Sequence, residues 1–208
     1  MKKYFALFLL ILCIASHGHA QNKNGYKVGD EAIDFNLPNT SGKFISMSIY
    51  KEAKGFILIF TCNHCPYAKA YQERIKVLSK MYAPQGYMVI CINSNDPAAN
   101  ESDSYDSMKV RYKSAAFNFP YLWDGDQHIA STYGATRTPH VFVLQKQGFE
   151  NTNKFMVRYI GAIDDNYEDA TKVKEKYVED AVNALLKHEY PKVENTKAIG
   201  CTIKWKKK

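Results

Sequence analysis

Cys62-Asn63-His64-Cys65-Pro66 carries two thiols separated by two residues. At that spacing a dithiol closes into a small disulfide ring and reopens by thiol exchange. The nucleophile in such exchange is the thiolate. A free cysteine titrates near ~8.5, and a helix N-terminus or a neighbouring cation brings it to ~3.5–7.5. The sequence supplies both. His64 lies between the thiols, where an imidazolium stabilises the Cys62 thiolate and makes the disulfide more oxidising. Pro66 suits a first helical turn, so Cys62 is expected at a helix N-terminus.

The elements that must position this motif are legible on either side. Gly55-Phe56-Ile57-Leu58-Ile59-Phe60 is short and wholly apolar, as a buried strand is. After the motif, Ala68, Tyr71, Ile75, Leu78 and Tyr82 recur at helical spacing, and Pro84-Gln85-Gly86 ends that helix. Tyr87 to Ile92 reads as a second strand, with Cys91 in it as a small buried hydrophobe. Asn93 to Asp103 is a polar connection, and Tyr105, Met108, Tyr112 and Ala115 mark a second helix. Val141–Leu144 and Met156–Ile160 are strands, and Val173, Tyr177, Ala181 and Ala184 mark a last helix. Upstream, Ala32–Leu37 and Phe44–Ile49 are expected to form a hairpin around Pro38-Asn39-Thr40-Ser41-Gly42. The order β-α-β-α-β-β-α predicts an α/β fold, a mixed central sheet with helices on both faces.

The chain has 208 residues. Lys2 and Lys3, the apolar run Tyr4–Ile14 and the ending His17-Gly18-His19-Ala20 read as a secretory leader over residues 1–20. The apolar run is short for a membrane span. Lipidation at Cys13 is disfavoured by Leu12 before it. Residues 21–190 suit one domain, and residues 191–208 a tail packed on it. The net charge of +7 owes part of its excess to Lys204, Lys206, Lys207 and Lys208. These read as a solvated terminus rather than a membrane contact, and no basic-aromatic stripe suggests nucleic acid. Export permits disulfides, but Cys62, Cys65, Cys91 and Cys201 are too few for a disulfide scaffold.

Four segments together resemble the thioredoxin-like superfamily, in its peroxiredoxin-like (alkyl hydroperoxide reductase/thiol-specific antioxidant domain) subgroup related to periplasmic disulfide reductases. They are Val28-Gly29-Asp30 with Ala32, Asp34 and Phe35; the Cys62–Pro66 motif; Tyr133-Gly134-Ala135-Thr136-Arg137-Thr138-Pro139; and Ile160-Gly161-Ala162-Ile163-Asp164-Asp165. The resemblance spans about Lys27 to Leu186 and implies a thioredoxin-like fold. It makes Cys62 the exposed attacking thiol, Cys65 the buried resolving thiol and Pro139 a cis proline. The Thr138 backbone is left free to pair with an extended substrate segment. Ile199-Gly200-Cys201-Thr202-Ile203-Lys204-Trp205 resembles a tail of the same subgroup. Cys201 is either a third redox thiol or an inert packed one, and the inert reading is preferred. The chain departs from the thioredoxin pattern at Thr61, where a tryptophan is usual, and at Phe56, where a buried acid is usual. The proton acceptor for Cys65 is therefore unassigned, with Asn95, Asp96 and Glu101 as candidates.

The resemblance implies a periplasmic or otherwise exported thiol–disulfide oxidoreductase acting on disulfide-bearing or dithiol proteins. It would need a dithiol electron donor if it reduces them, and no organic cofactor. A zinc site would want a second ligand pair that the sequence lacks. A thiol peroxidase would want a proline seven residues and a threonine three residues before its cysteine. Gly55 and Ile59 precede Cys62 there, and Leu58 and Cys62 precede Cys65, so that activity is disfavoured. Copper delivery through Cys62, Cys65 and His140 is a third reading, with thiolate and imidazole suited to Cu(I).

Overall fold

The computed structural model describes residues 25–148 and 154–207; the leader expected at 1–20 lies outside the described residues. In chain order the strands and α-helices are β1 (Glu31–Ala32), β2 (Leu37–Pro38), β3 (Phe44–Ile45), β4 (Gly55–Phe60), α1 (Pro66–Tyr82), β5 (Tyr87–Asn93), α2 (Tyr105–Ser114), β6 (Tyr121–Trp123), α3 (His128–Tyr133), β7 (Arg137–Thr138), β8 (His140–Lys146), β9 (Phe155–Gly161), α4 (Tyr177–Leu186) and β10 (Cys201–Thr202). The main sheet runs β1-β9-β8-β4-β5-β6. β4 pairs parallel with β5 and antiparallel with β8, so the sheet is mixed.

β4 is buried along its whole length because both of its faces are covered. Its side chains alternate between two cores, as the period of two dictates. Phe56, Leu58 and Phe60 join Ile90, Phe142, Leu144 and α3 residues Ile129, Ala130 and Tyr133 on one face. Ile57 and Ile59 join Tyr71, Ile75 and Leu78 of α1, Met108 of α2 and Val178, Ala181 and Val182 of α4 on the other. The helical spacing read from Ala68 to Tyr82 is the buried stripe of α1. That helix passes into a 3-10 turn, Ala83–Gln85, and Gly86 then reverses the chain at φ +92°, a conformation that glycine adopts without steric cost.

Three local expectations are corrected. The segment Ala32–Leu37 is not one strand: Ala32 belongs to β1, on the sheet edge beside β9, and only Leu37–Pro38 pairs with Phe44–Ile45. Asp34 causes the division, its carboxylate accepting the N–H groups of Phe35, Met47 and Ser48 across the intervening turn. Between α2 and β8 the chain adds β6 and α3, which the element order lacked. The last helix starts at Tyr177, leaving Val173 in the connection.

Candidate active site

β4 delivers the chain to the site, and Thr61 adds one more bond to the sheet by donating its N–H to Ile92 O at 2.8 Å. The next residues leave the sheet and are held from outside. Asp103, fully buried, accepts the N–H of Asn63 at 2.7 Å and that of His64 at 3.3 Å on Oδ1. Its Oδ2 accepts Asn95 Nδ2 at 2.9 Å and pairs with His64 Nδ1 in a short contact. Asn63 completes the clamp, donating to Ser102 O at 2.6 Å and accepting the Tyr121 hydroxyl at 3.0 Å. One carboxylate thus takes four donors, the condition under which a buried charge is tolerated.

Cys65, rather than Cys62, is the N-cap of α1, with Pro66 at the first helical position. This corrects the expectation for Cys62, which lies upstream in the held loop. Cys62 is 6% exposed and Cys65 wholly buried, so Cys62 is less open than its expected attacking role implies while remaining the more accessible of the pair. The electrostatics follow this placement. The Cys65 thiol is driven down, first by a hydrogen bond from Cys62 and further by contacts with Cys201 and the Ala68 N–H, against the opposing effect of burial. The Cys62 thiol is pushed up by the same bond to Cys65, by burial and by the negative charge of Asp103. The two thiols are thus driven in opposite directions, Cys65 down and Cys62 up.

His64 Nδ1 lies 3.8 Å from Cys62 Sγ. The same nitrogen faces Asp103, so an imidazolium here meets a carboxylate as well as the thiol, and its pull on Cys62 is offset. The Cys62 sulfur also lies 3.3 Å from the Thr138 hydroxyl. The Thr138–Pro139 bond is cis. Thr138 does not present a free edge, however. β10 pairs antiparallel with β7, with Cys201 opposite Thr138, and Ile203 donates its N–H to Thr136 O at 3.2 Å. Gly200 permits this approach, since a Cβ there would stand 2.2 Å from Thr138 O. Cys201 comes to rest with its sulfur 2.7 Å from Cys65 Sγ.

The remaining candidates separate. Asn95 supports Asp103 and accepts the Lys204 N–H at 2.9 Å. Asp96 caps its own turn at Ala98, and Glu101 is exposed. The sulfur of Cys65 instead meets Cys62, Cys201 and Thr138 O, the last at 3.1 Å. His140 is buried, accepts the Thr136 N–H at 3.2 Å on Nδ1, and is held neutral by burial down to about 4. Among the described residues the ligand-type atoms that converge, within 4.8 Å of one another, belong to Cys62, His64 and Asp103. His140 is not in that group. Asp103 is the residue that sequence reasoning missed.

A mixed sheet with a Cys-x-x-Cys loop between β4 and α1 and a cis proline entering β8 defines a thioredoxin-like fold. The AhpC/TSA family model matches residues 28–150, and the chain belongs to that family. Curated relatives named thiol-disulfide oxidoreductase ResA are similar to it. The relative from Halalkalibacterium halodurans is 25% identical over 122 residues, 59% of this chain and 65% of that protein. The relative from Bacillus thuringiensis subsp. konkukian is 29% identical over 157 residues, 71% of this chain and 86% of that protein. Among solved structures, an uncharacterized conserved protein from Geobacillus kaustophilus superposes with a TM-score of 0.80 at 30% identity, over 89% of this chain and 95% of that one.

Proposed function

We propose that this chain is an exported thiol–disulfide oxidoreductase that exchanges disulfides with partner proteins through Cys62 and Cys65. The observation that carries the reading is the Cys62–Cys65 pair at the β4–α1 junction, with Cys65 capping the helix and the Cys62 sulfur 3.3 Å from the Thr138 hydroxyl at the cis Thr138–Pro139 bond. Membership of the AhpC/TSA family and likeness to relatives named thiol-disulfide oxidoreductase support the reaction class. Export rests on the leader-like residues 1–20.

The downward shift of the Cys65 thiol gives the pair its own base. Cys62 passes its proton to the Cys65 sulfur, and the freed Cys62 thiolate attacks one sulfur of a client disulfide. The client bond breaks, a Cys62–client disulfide forms, and the other client sulfur leaves as a thiolate that takes the proton held on Cys65. The Cys65 thiolate then attacks Cys62 Sγ, closing the Cys62–Cys65 bond and releasing the second client thiolate. Two electrons move from the pair to the client, and a dithiol donor restores the pair by the reverse route. This assigns the proton acceptor without a carboxylate, consistent with Phe56 standing where an acid is usual. The Thr138 hydroxyl lies 3.3 Å from the Cys62 sulfur, and a client strand pairs with Thr138 only when β10 leaves that edge.

The test is insulin-disulfide reduction with dithiothreitol as donor. The wild type is expected to accelerate it, Cys62→Ser to fall to background, and Cys65→Ser to accumulate a Cys62–client disulfide. Wild-type turnover by Cys62→Ser would overturn the reading.

A further inference from the structure

We propose that Cys201 is a third redox thiol that takes the disulfide over from Cys62, so that Cys65 alternates between a bond to Cys62 and a bond to Cys201. The proposal deepens the thiol–disulfide reading above and rests on it.

Three independent features place Cys201 in the reaction rather than in the packing. Its sulfur is 2.7 Å from Cys65 Sγ although the two residues are 136 apart in sequence. That contact is built by the backbone: the pairing of β10 with β7 sets Cys201 opposite Thr138, and Gly200 alone allows the close approach. Thr138 touches all three cysteines, with its hydroxyl 3.3 Å from Cys62 Sγ and 3.5 Å from Cys201 O, and its carbonyl 3.1 Å from Cys65 Sγ. Cys201 is only partly buried; burial and the neighbouring Cys65 push its thiol up to about 11, and the positive charges of Lys204 and Arg137 oppose that rise. Cys91 shows the contrast, being sealed within β5 with burial alone raising its thiol.

The step is an isomerisation and needs no oxidant. From the Cys62–Cys65 disulfide, Cys201 loses its proton and attacks Cys65 Sγ. The Cys65–Cys201 bond forms, the Cys62–Cys65 bond breaks, and the Cys62 sulfur leaves and takes up a proton. Protein redox state and proton count are unchanged. The product ties β10 to the site and returns Cys62 as a thiol.

The test uses the full chain with oxidised glutathione, alkylation of free thiols and peptide mapping by mass spectrometry. In Cys62→Ser, glutathione first caps Cys201, the more accessible of the two remaining site thiols, and Cys65 then displaces it. The expected result is a Cys65–Cys201 peptide as the main product, and wild type is expected to yield both internal disulfides. In Cys201→Ser the Cys62–Cys65 disulfide is expected alone. If Cys201→Ser forms its disulfide while folded Cys62→Ser, and equally Cys62→Ala, stops at a glutathione adduct on either thiol, the third-thiol proposal falls and the parent reading stands. If no variant or wild type forms an internal disulfide, both fall.

Discussion

Replacing Asp103 by Asn changes the site's charge with almost no change of shape, and the geometry gives two magnitudes. The first is stability. The amide oxygen can serve the Asn63 and His64 N–H groups, which leaves the amide nitrogen facing Asn95 Nδ2. Asn95 cannot turn round, because its Oδ1 accepts the Lys204 N–H. Two donors then face each other in a buried site, at about 1–3 kcal/mol for each unmatched group. We predict a loss of about 2–6 kcal/mol in urea unfolding of the reduced protein. The second magnitude is electrostatic. The carboxylate and Cys62 Sγ lie within 4.8 Å, where unit charges interact by about 3.5 kcal/mol at an effective dielectric constant of about 20. At 4.8 Å that corresponds to about 2.5 pH units. Screening reduces this, so the ionisation of Cys62, the thiol that the Asp103 charge raises, is predicted to move down by about one pH unit. Ultraviolet thiolate absorbance against pH reads this shift, and iodoacetamide alkylation rates check it. An unchanged or higher ionisation midpoint, in a variant whose stability is also unchanged, would refute the role given to Asp103.

Other consequences follow from the same contacts. Gly200→Ala brings a methyl group against Thr138 O, where a Cβ would lie at 2.2 Å; the β10 pairing is expected to open, and Cys201 should alkylate several-fold faster. Arg74 donates to Asp164 Oδ2, Asn166 O and Tyr167 O, each at 2.6 Å. Arg74→Met strands a largely buried carboxylate and should cost about 3–5 kcal/mol in urea unfolding. His140 has a folded pKa of about 4, below its ordinary 6.5, so the unfolded chain binds more protons between those values and stability is lost as pH is lowered through that window. Between pH 7 and pH 5 this amounts to about 2 kcal/mol; His140→Gln, which keeps an acceptor for the Thr136 N–H, should lack that part of the slope.

The parts of the fold that were legible in the sequence are those whose cause is local. Gly55–Phe60 is apolar without a break because both sheet faces are covered, and the stripe Tyr71, Ile75, Leu78 and Tyr82 follows from one buried helix face. β6 and α3 escaped notice because they are three and six residues long, too short for periodicity to register. α3 is instead held by Asp124, whose carboxylate accepts the Ile129 and Ala130 N–H groups. The thiol pair was legible from its spacing, but the opposite shifts of its two thiols were not. Which sulfur caps α1 depends on where the first turn begins, and Pro66 is compatible with more than one start. Asp103 meets Asn63 from 40 residues away, and it sits in a polar stretch that resembles an ordinary connection. The tail's meeting with Thr138 likewise comes from tertiary pairing, and only Gly200 hints at it locally.

The central claim is that Cys62 and Cys65 form a reversible redox couple. Equilibrating the Cys201→Ser chain in glutathione buffers of graded poise, with thiol trapping and mass spectrometry, tests it most directly. The account predicts one two-electron transition in which Cys62 and Cys65 are oxidised together, with a potential between those of thioredoxin, about −270 mV, and the strong oxidant DsbA, about −120 mV. Cys62 and Cys65 remaining separate thiols or glutathione adducts at every poise would contradict it.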